Sequence, residues 1–367
     1  MLKLSHPNIN EDAINAVVGV LRSGQLVHGS ECEAFERELA EYLGCSDVVL
    51  VSSGTAALHV ALLALDIGPG DAVIVPDFTF PATANVVALT GARPVIVDVD
   101  FETFTLMPSA LEEALICWHG PQRIKAIMPV HEFGCPAKMD AITEIAKKYG
   151  LFVVEDAACA IGATFQNQKL GTLGDIGCFS FHPRKILTTG EGGAIATNWK
   201  DVADRMRRLR NHGITRIEEG VCFVEPATNY RMTDFQAALG RRQLPDLDGW
   251  ISTRRELVRS YLRLLAPLEN SGLLSLPKWE SGHSWQTFMV VLNEFLDRKQ
   301  VMRNLREAGV ESNLGAQSLA MIDIYGQQRP VKYGPELYMR GLALPMFERM
   351  SEEDIHLVSS ALSTSLV

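Results

Sequence analysis

Several things are missing or scarce in this sequence, and each narrows what the chain can be. The seven cysteines (Cys32, Cys45, Cys117, Cys135, Cys159, Cys178 and Cys222) are scattered, odd in number and contain no Cys-x-x-Cys pair. They make neither a disulfide framework nor a structural zinc site, and no His/Cys/Asp/Glu grouping has metal-ligand spacing. No Ser-His-Asp hydrolase elbow occurs either. Positive charge is in deficit: Lys plus Arg number 34 against 44 Asp plus Glu, a net charge of −10. A chain this acidic is poorly suited to coating nucleic acid or an anionic membrane. No run of about 18 uncharged apolar residues is present, so no membrane span is expected. The first ten residues lack a basic segment followed by an apolar run, so no secretory signal is expected, and the chain reads as cytoplasmic. There is no internal repeat and no low-complexity segment.

What is present is a large apolar fraction. Apolar residues make up 47% of 367 and charged residues 21%. That suits one large domain plus a smaller one. Short apolar runs rich in β-branched residues, at 73–75, 95–97, 127–130 and 152–154, suit strands buried on both faces of a parallel sheet. Helical patterns at 55–65, 83–89, 109–115 and 139–149 alternate with them, which predicts a layered α/β sheet. Gly150 follows Lys147 and Lys148 as a helix stop. After about residue 245 the pattern changes: helices at 251–265, 296–308 and 351–362, a strand at 286–291, and a mixed loop over 309–332. The expected organisation is a large domain over 1–245 and a small α+β domain over 246–367, with the N-terminal segment free to pack on the latter.

The chemistry is concentrated in a few segments. Lys185 stands in Ser180-Phe181-His182-Pro183-Arg184-Lys185, between an apolar strand-like run and the Gly-rich stretch Gly190-Glu191-Gly192-Gly193. A Lys at a strand end is either solvated or, when desolvated, lowered in pKa enough to act as an amine nucleophile. Asp156 closes the apolar run Val153-Val154-Glu155, which places it at the sheet edge where ligand crevices form. It is either a cap or the carboxylate that keeps a pyridine nitrogen protonated. Ser52-Ser53-Gly54-Thr55-Ala56-Ala57 opens a helix and is either only a cap or an anion seat at the positive end of the helix dipole. Thr55 and Ser180 can add hydroxyl donors. Phe80 ends Phe78-Thr79-Phe80, as core or as a stacking ring. Together, an amine, a ring-nitrogen carboxylate, a phosphate cradle and a stacking ring are the requirements of pyridoxal phosphate (PLP) chemistry.

The order and wording of these segments resemble the DegT/DnrJ/EryC1/StrS family of PLP-dependent sugar aminotransferases. The likeness runs from Gly24-Gln25-Leu26-Val27-His28-Gly29 to the last helix. Its motifs are Ser-Gly-Thr-Ala-Ala-Leu at 53–58, Phe-Thr-Phe-Pro-Ala-Thr at 78–83, Glu-Asp-Ala-Ala at 155–158, Ser-Phe-His-Pro-Arg-Lys at 180–185, Gly-Glu-Gly-Gly at 190–193 and Asn-Tyr-Arg-Met-Thr-Asp at 229–234. The resemblance implies the fold-type-I aminotransferase architecture, a three-layer α/β/α arrangement around a mainly parallel sheet. It implies that Lys185 bonds the PLP aldehyde and shuttles a proton, that Asp156 pairs with the ring nitrogen and that Phe80 stacks on the ring. Gly54, Thr55, Ala56 and Ser180 would hold the phosphate, and Asn229 would reach the phosphate of a neighbouring subunit, hence a homodimer with shared sites.

Two positions depart from the family. Gln or His commonly follows Glu-Asp-Ala-Ala and reaches the cofactor ring; here it is Cys159, whose ordinary fate is that of a small packed hydrophobe. A His-Tyr-Pro-like motif near the sugar is replaced by the stretch at 312–319. Members with His in place of the Lys dehydrate instead of transaminating, and this chain keeps Lys185. His131 reads as a structural histidine near the pocket, His182 as ordering the Lys185 turn, Arg207, Arg208 and Arg210 as a solvated helix face, and Arg231 as structural. The implied activity moves an amino group from glutamate to a keto-sugar, on a 4-keto-6-deoxyhexose linked to a nucleotide. The alternatives are a 3-keto nucleotide sugar, a keto-sugar or cyclitol without a nucleotide, and a non-catalytic PLP-binding regulator.

Overall fold

The computed structural model describes residues 1–326 and 328–366. Two helices lead in, α1 (Glu11–Ser23) and α2 (Ser30–Leu43). Strands and helices then alternate through β1 (Asp47–Val51), α3 (Gly54–Ala64), β2 (Asp71–Pro76), β3 (Phe78–Thr79), α4 (Ala82–Leu89), β4 (Arg93–Val97), α5 (Pro108–Ile116), β5 (Arg123–Ile127), α6 (Met139–Tyr149) and β6 (Phe152–Asp156). A small hairpin, β7 (Thr164–Phe165) with β8 (Gln168–Lys169), precedes β9 (Ile176–Ser180), β10 (Gly193–Thr197) and α7 (Lys200–Leu209). A second hairpin, β11 (Ile214–Ile217) with β12 (Gly220–Phe223), leads to α8 (Asp234–Arg241).

Seven strands form one sheet in the order β1-β10-β9-β6-β5-β2-β4. β10 runs antiparallel to both its neighbours, and the remaining pairings are parallel. Each strand is buried on both faces because alternate residues enter different cores. Val49 and Val51 pack in one cluster and Val48 and Leu50 in another; Val73 and Val75 face one layer while Ala72 and Ile74 face the other. Side chains of a strand alternate by face, so an apolar residue at every position requires helices on both sides. The result is a three-layer α/β/α architecture around a mainly parallel sheet, as the resemblance implied. Helix α3, apolar nearly all round, is buried among these strands.

From α9 (Leu247–Asn270) the chain builds a second sheet, β13 (Leu274–Ser275), β14 (Phe288–Leu292) and β16 (Gly341–Leu344), in the order β13-β14-β16. With α10 (Arg298–Glu307) and α12 (Glu352–Ser365) it encloses its own core around Tyr261, Trp285 and Phe288. The N-terminal segment joins this half: Leu2 N–H donates to Gly309 O and Met346 N–H to Leu4 O. The mixed loop at 309–332 contains β15 (Gln317–Ser318), which pairs with β3, and leads to α11 (Tyr333–Arg340). Buried Asp77 anchors that loop, accepting from Ser318 Oγ at 2.8 Å and Ala320 N–H at 2.6 Å. No helix among the described residues is long and apolar enough to cross a membrane.

Candidate active site

The C-terminal ends of β2, β5, β6 and β9 converge, as ligand crevices of parallel sheets do. β6 ends in Asp156 and β9 in Ser180. The tight turn after β9 carries Lys185, whose N–H donates to His182 O, while His182 Nδ1 accepts from Arg184 N–H at 3.2 Å. His182 thus orders the Lys185 turn. The Lys185 Nζ lies 2.9 Å from Cys159 Sγ. Cys159 is therefore part of the amine's immediate surroundings and not a small residue packed elsewhere.

Helix α3 starts beside Ser180. The Ser53 side chain caps it by accepting from Ala56 N–H at 3.0 Å. Ala56 N–H is engaged by that cap, while the N–H groups of Gly54 and Thr55, ahead of it at the helix end, have no intrahelical acceptor. A Cβ on Gly54 would lie 2.7 Å from Ser180 Cβ, and one on Gly193 would lie 2.4 Å from Ser53 O. These glycines let β9, β10 and the helix end close into one small cradle. Phe78 is core, but Phe80 is 71% exposed and presents its ring to solvent.

Electrostatics sharpen the site. Asp156 is buried; it accepts from Thr83 Oγ1 at 2.9 Å and Ala158 N–H at 3.2 Å, a turn and not a helix cap. Burial pushes its carboxyl above the usual range despite those donors. Glu132, in the single 3-10 turn Glu132–Gly134 after β5, is also buried, and burial raises its carboxyl to about 8. Burial pulls the Lys185 amine down, but Cys159, Glu132 and Asp156 together raise it further, so the net direction is upward. The lowering that desolvation alone would give Lys185 is outweighed by these neighbours. Burial likewise raises the Cys159 thiol.

These elements coincide with a known group of enzymes. Residues 7–363 match the DegT/DnrJ/EryC1/StrS aminotransferase family. The chain belongs to this family. It is 41% identical over 337 residues to the GDP-perosamine synthase of Caulobacter vibrioides, covering 91% of this chain and 89% of that one. The crystal structure of aminotransferase TlmJ from Streptoalloteichus hindustanus superposes with a TM-score of 0.93 at 31% identity, over 100% of this chain and 99% of that one. The PLP-form of the putative sugar aminotransferase Spr1654 from Streptococcus pneumoniae does so with a TM-score of 0.91 at 27% identity, over 100% and 98%. As a DegT-family member the chain is a sugar aminotransferase. DegT-family aminotransferases depend on PLP, and the residues here fit that group: an amine, a buried carboxylate, an exposed aromatic face and a helix-end anion seat on one rim.

Not every expected residue joins this rim. Asn229 is exposed on the segment after β12, bridged to Asn211, although its neighbour Tyr230 accepts from Ser52 N–H at the foot of the cradle. His131 is buried, with Nε2 on Glu155 at 2.8 Å and Nδ1 accepting from Ala137 N–H, which is a structural role in this DegT-family site. The arginine cluster is not a solvated face. Arg207 pairs with Asp47, Arg208 with Glu225, and buried Arg210 with Glu36, Leu50 O and His28. Glu132 had no signal in the sequence beyond its place next to His131. Beside Arg184 a cavity of about 50 Å³ opens between the two halves, with Ser5, Gln286, Thr287 and Asn313 on its wall.

Proposed function

We propose that this chain takes an amino group from glutamate and delivers it to a nucleotide-linked keto-sugar, a 4-keto-6-deoxyhexose, in amino-sugar biosynthesis. The likeness to a GDP-perosamine synthase favours GDP as the nucleotide. The observation that carries the reading is the Lys185 amine inside a buried cluster that includes Asp156, at the sheet edge faced by the α3 N-terminus. PLP, when bound, supplies an aldehyde and an electron-withdrawing ring. Lys185 would hold the aldehyde end of that group, and its amine would be the general acid and base for the proton on the substrate carbon. Asp156 would pair with the ring nitrogen and Phe80 would face the ring. Gly54 and Thr55 N–H, with the Thr55 and Ser180 hydroxyls, would hold the phosphate. Cys159 would lie near the ring beside Lys185. The protein works in the cytoplasm as a homodimer, with Asn229 of each copy completing the other's phosphate seat.

The test is spectroscopic. Purified protein with added PLP should show a visible band that Lys185→Ala abolishes. Glutamate should bleach that band, and the bleached protein should aminate a GDP-linked 4-keto-6-deoxyhexose in a panel with 3-keto and nucleotide-free sugars. A colourless wild type rejects the cofactor assignment, a band indifferent to glutamate rejects the donor, and a different preferred sugar rejects the substrate.

A further inference from the structure

The turn that carries Lys185 also carries a cation without a counter-ion. Arg184 is exposed, and its guanidinium makes no ion pair or hydrogen bond among the described residues. Its backbone is held from both halves of the molecule. Arg184 N–H donates to His182 Nδ1 at 3.2 Å, and Arg184 O accepts from Gln286 Nε2 at 2.8 Å. The base of the side chain is therefore fixed while its charged end is left free.

The cavity of about 50 Å³ between the two halves has Arg184 on its wall, with Ser5, Gln286, Thr287 and Asn313. Arg184 is the one charged residue described on that wall. Two other wall residues have donors to spare. The Ser5 hydroxyl has no hydrogen bond among the described residues. Asn313 gives its Oδ1 to Leu314 N–H at 2.7 Å, which leaves its Nδ2 amide unbound. The Gln286 amide is already used at both ends, accepting from the Thr287 hydroxyl at 3.0 Å and donating to Arg184 O. Carboxylates close to the wall are taken as well: Glu348 pairs with buried Arg254 at 2.8 Å, and Glu311 accepts from Leu4 N–H at 2.9 Å. A guanidinium and two free donors with no acid among them make a seat for an anion.

Size selects the anion. One water needs about 10–15 Å³ of such space, so the cavity admits about three to five water-sized groups. A carboxylate has that size, and a sugar diphosphate does not. Position selects the molecule. Arg184 adjoins Lys185 in the chain, with Cα atoms about 3.8 Å apart. Gln286 N–H, from the same wall, donates to Phe133 O, next to Glu132 of the buried cluster around Lys185. We propose that Arg184, helped by Ser5 and Asn313, is the subsite that holds a carboxylate of the amino-acid donor while the donor's nitrogen is delivered at Lys185. That the donor is an amino acid rests on the function proposed above; the anion seat does not. A planar guanidinium can give a carboxylate two parallel N–H bonds, which an ammonium cannot match.

The test separates the two half-reactions. Protein loaded with PLP is titrated with glutamate, and the loss of the visible band gives the concentration for half-maximal bleaching. Arg184→Met keeps the stem and removes the charge. It should need about tenfold more glutamate or beyond, the worth of a charge-assisted hydrogen bond, and the keto-sugar concentration that restores the band should move at least about fivefold less. Arg184→Lys should recover part of the loss. Alanine lacks the distal carboxylate and tells which one is held. A loss of the same size with alanine assigns the α-carboxylate; indifference to the substitution, or no reaction at all, assigns the distal one. An unchanged glutamate requirement, or equal shifts for glutamate and sugar, overturns the proposal. Should glutamate not bleach the wild type, the donor in the proposed function is wrong, and glutarate, which carries no nitrogen, still decides the anion seat. Calorimetry should then show glutarate binding the wild type about tenfold or more tighter than Arg184→Met, and equal or absent binding removes the subsite.

Discussion

At the scale of single residues, closeness of approach governs the site. Gly54 sits against Ser180 with no room for a methyl group: a Cβ there would lie 2.7 Å from one Ser180 carbon and 3.1 Å from its hydroxyl. Backbone of α3 and β9 must separate to admit it, and the seat widens. Gly54→Ala should therefore weaken PLP binding by about tenfold or more, while overpacking costs about 1–3 kcal/mol of stability. Equilibrium dialysis against PLP and urea denaturation read the two effects separately; unchanged affinity would show that the cradle does not hold the phosphate. Lys185, Asp156 and Phe80 were legible in the sequence because each ends a strand or its turn, and strand ends are local patterns. Two things were not: the sign of the Lys185 shift depends on groups from two other segments, the end of β6 and the turn after β5, and Glu132 comes near Lys185 only in the folded sheet.

At the scale of elements, the strand and helix pattern was legible wherever both faces of a strand or one face of a helix are apolar. The expected helix at 139–149 matches α6, and the expected 251–265 helix grew into α9 over Leu247–Asn270. The ends were less legible, because long-range partners set them. Helix α2 has Gly29 before it and no local side-chain cap. Asp234, over two hundred residues away, supplies that cap: its Oδ1 accepts from Gly29 N–H at 2.7 Å and Cys32 N–H at 3.0 Å, and Oδ2 from Glu31 N–H at 3.4 Å. A carboxylate at a helix N-terminus also meets the positive end of the dipole. Asp234→Ala should cost about 2 kcal/mol, the upper part of the range for lost N-caps, and Asp234→Asn clearly less. Chemical denaturation measures both; equal stability would mean that water replaces the cap without loss. Arg210 was misread for the same reason, since its partners Glu36 and Leu50 come from α2 and β1.

At the scale of the whole molecule, the small second sheet grips the turns that carry the chemistry. Ser284 N–H donates to Gly134 O at 3.1 Å, Gln286 N–H to Phe133 O at 2.9 Å, and Gln286 Nε2 to Arg184 O at 2.8 Å. Phe133 and Trp285 both stand at φ 56, which costs a side-chain-bearing residue about 1–2 kcal/mol and persists only where neighbours enforce it. His283 enforces the second turn. Its ring stacks on Trp285 at 3.8 Å and its Nδ1 accepts from Trp285 N–H at 2.9 Å. Burial first, then the Arg255 charge, push this imidazole down to about 3. A group lowered on folding contributes stability that is complete above its unfolded value near 6.5 and drains away as pH falls toward 3. The ceiling is on the order of 5 kcal/mol. Buried Glu132 and Asp156, raised on folding, act in the opposite sense over the same range, so the readout is the difference from His283→Phe: between pH 6.5 and 4 wild type should take up about one proton more on unfolding than His283→Phe does, as measured by urea denaturation, and parallel slopes would show that His283 does not titrate this way. The hairpin β11–β12 carries the prediction for assembly. All four residues of β12 are exposed, Val221 at 58% and Phe223 at 67%, and Ile217 opposite is 52% exposed. An isolated two-stranded ribbon is marginal in water, so this one needs a surface to rest on. In the proposed dimer a second copy of the chain would supply it, and Asn229, six residues past Phe223, would then reach the other copy's cradle. Sedimentation velocity should show a dimer at micromolar concentration. Phe223→Asp should shift it to monomer and weaken PLP binding with it, because the phosphate would lose its Asn229 contact. A monomeric wild type, or a Phe223→Asp monomer that holds PLP as tightly as before, would separate the hairpin from the site.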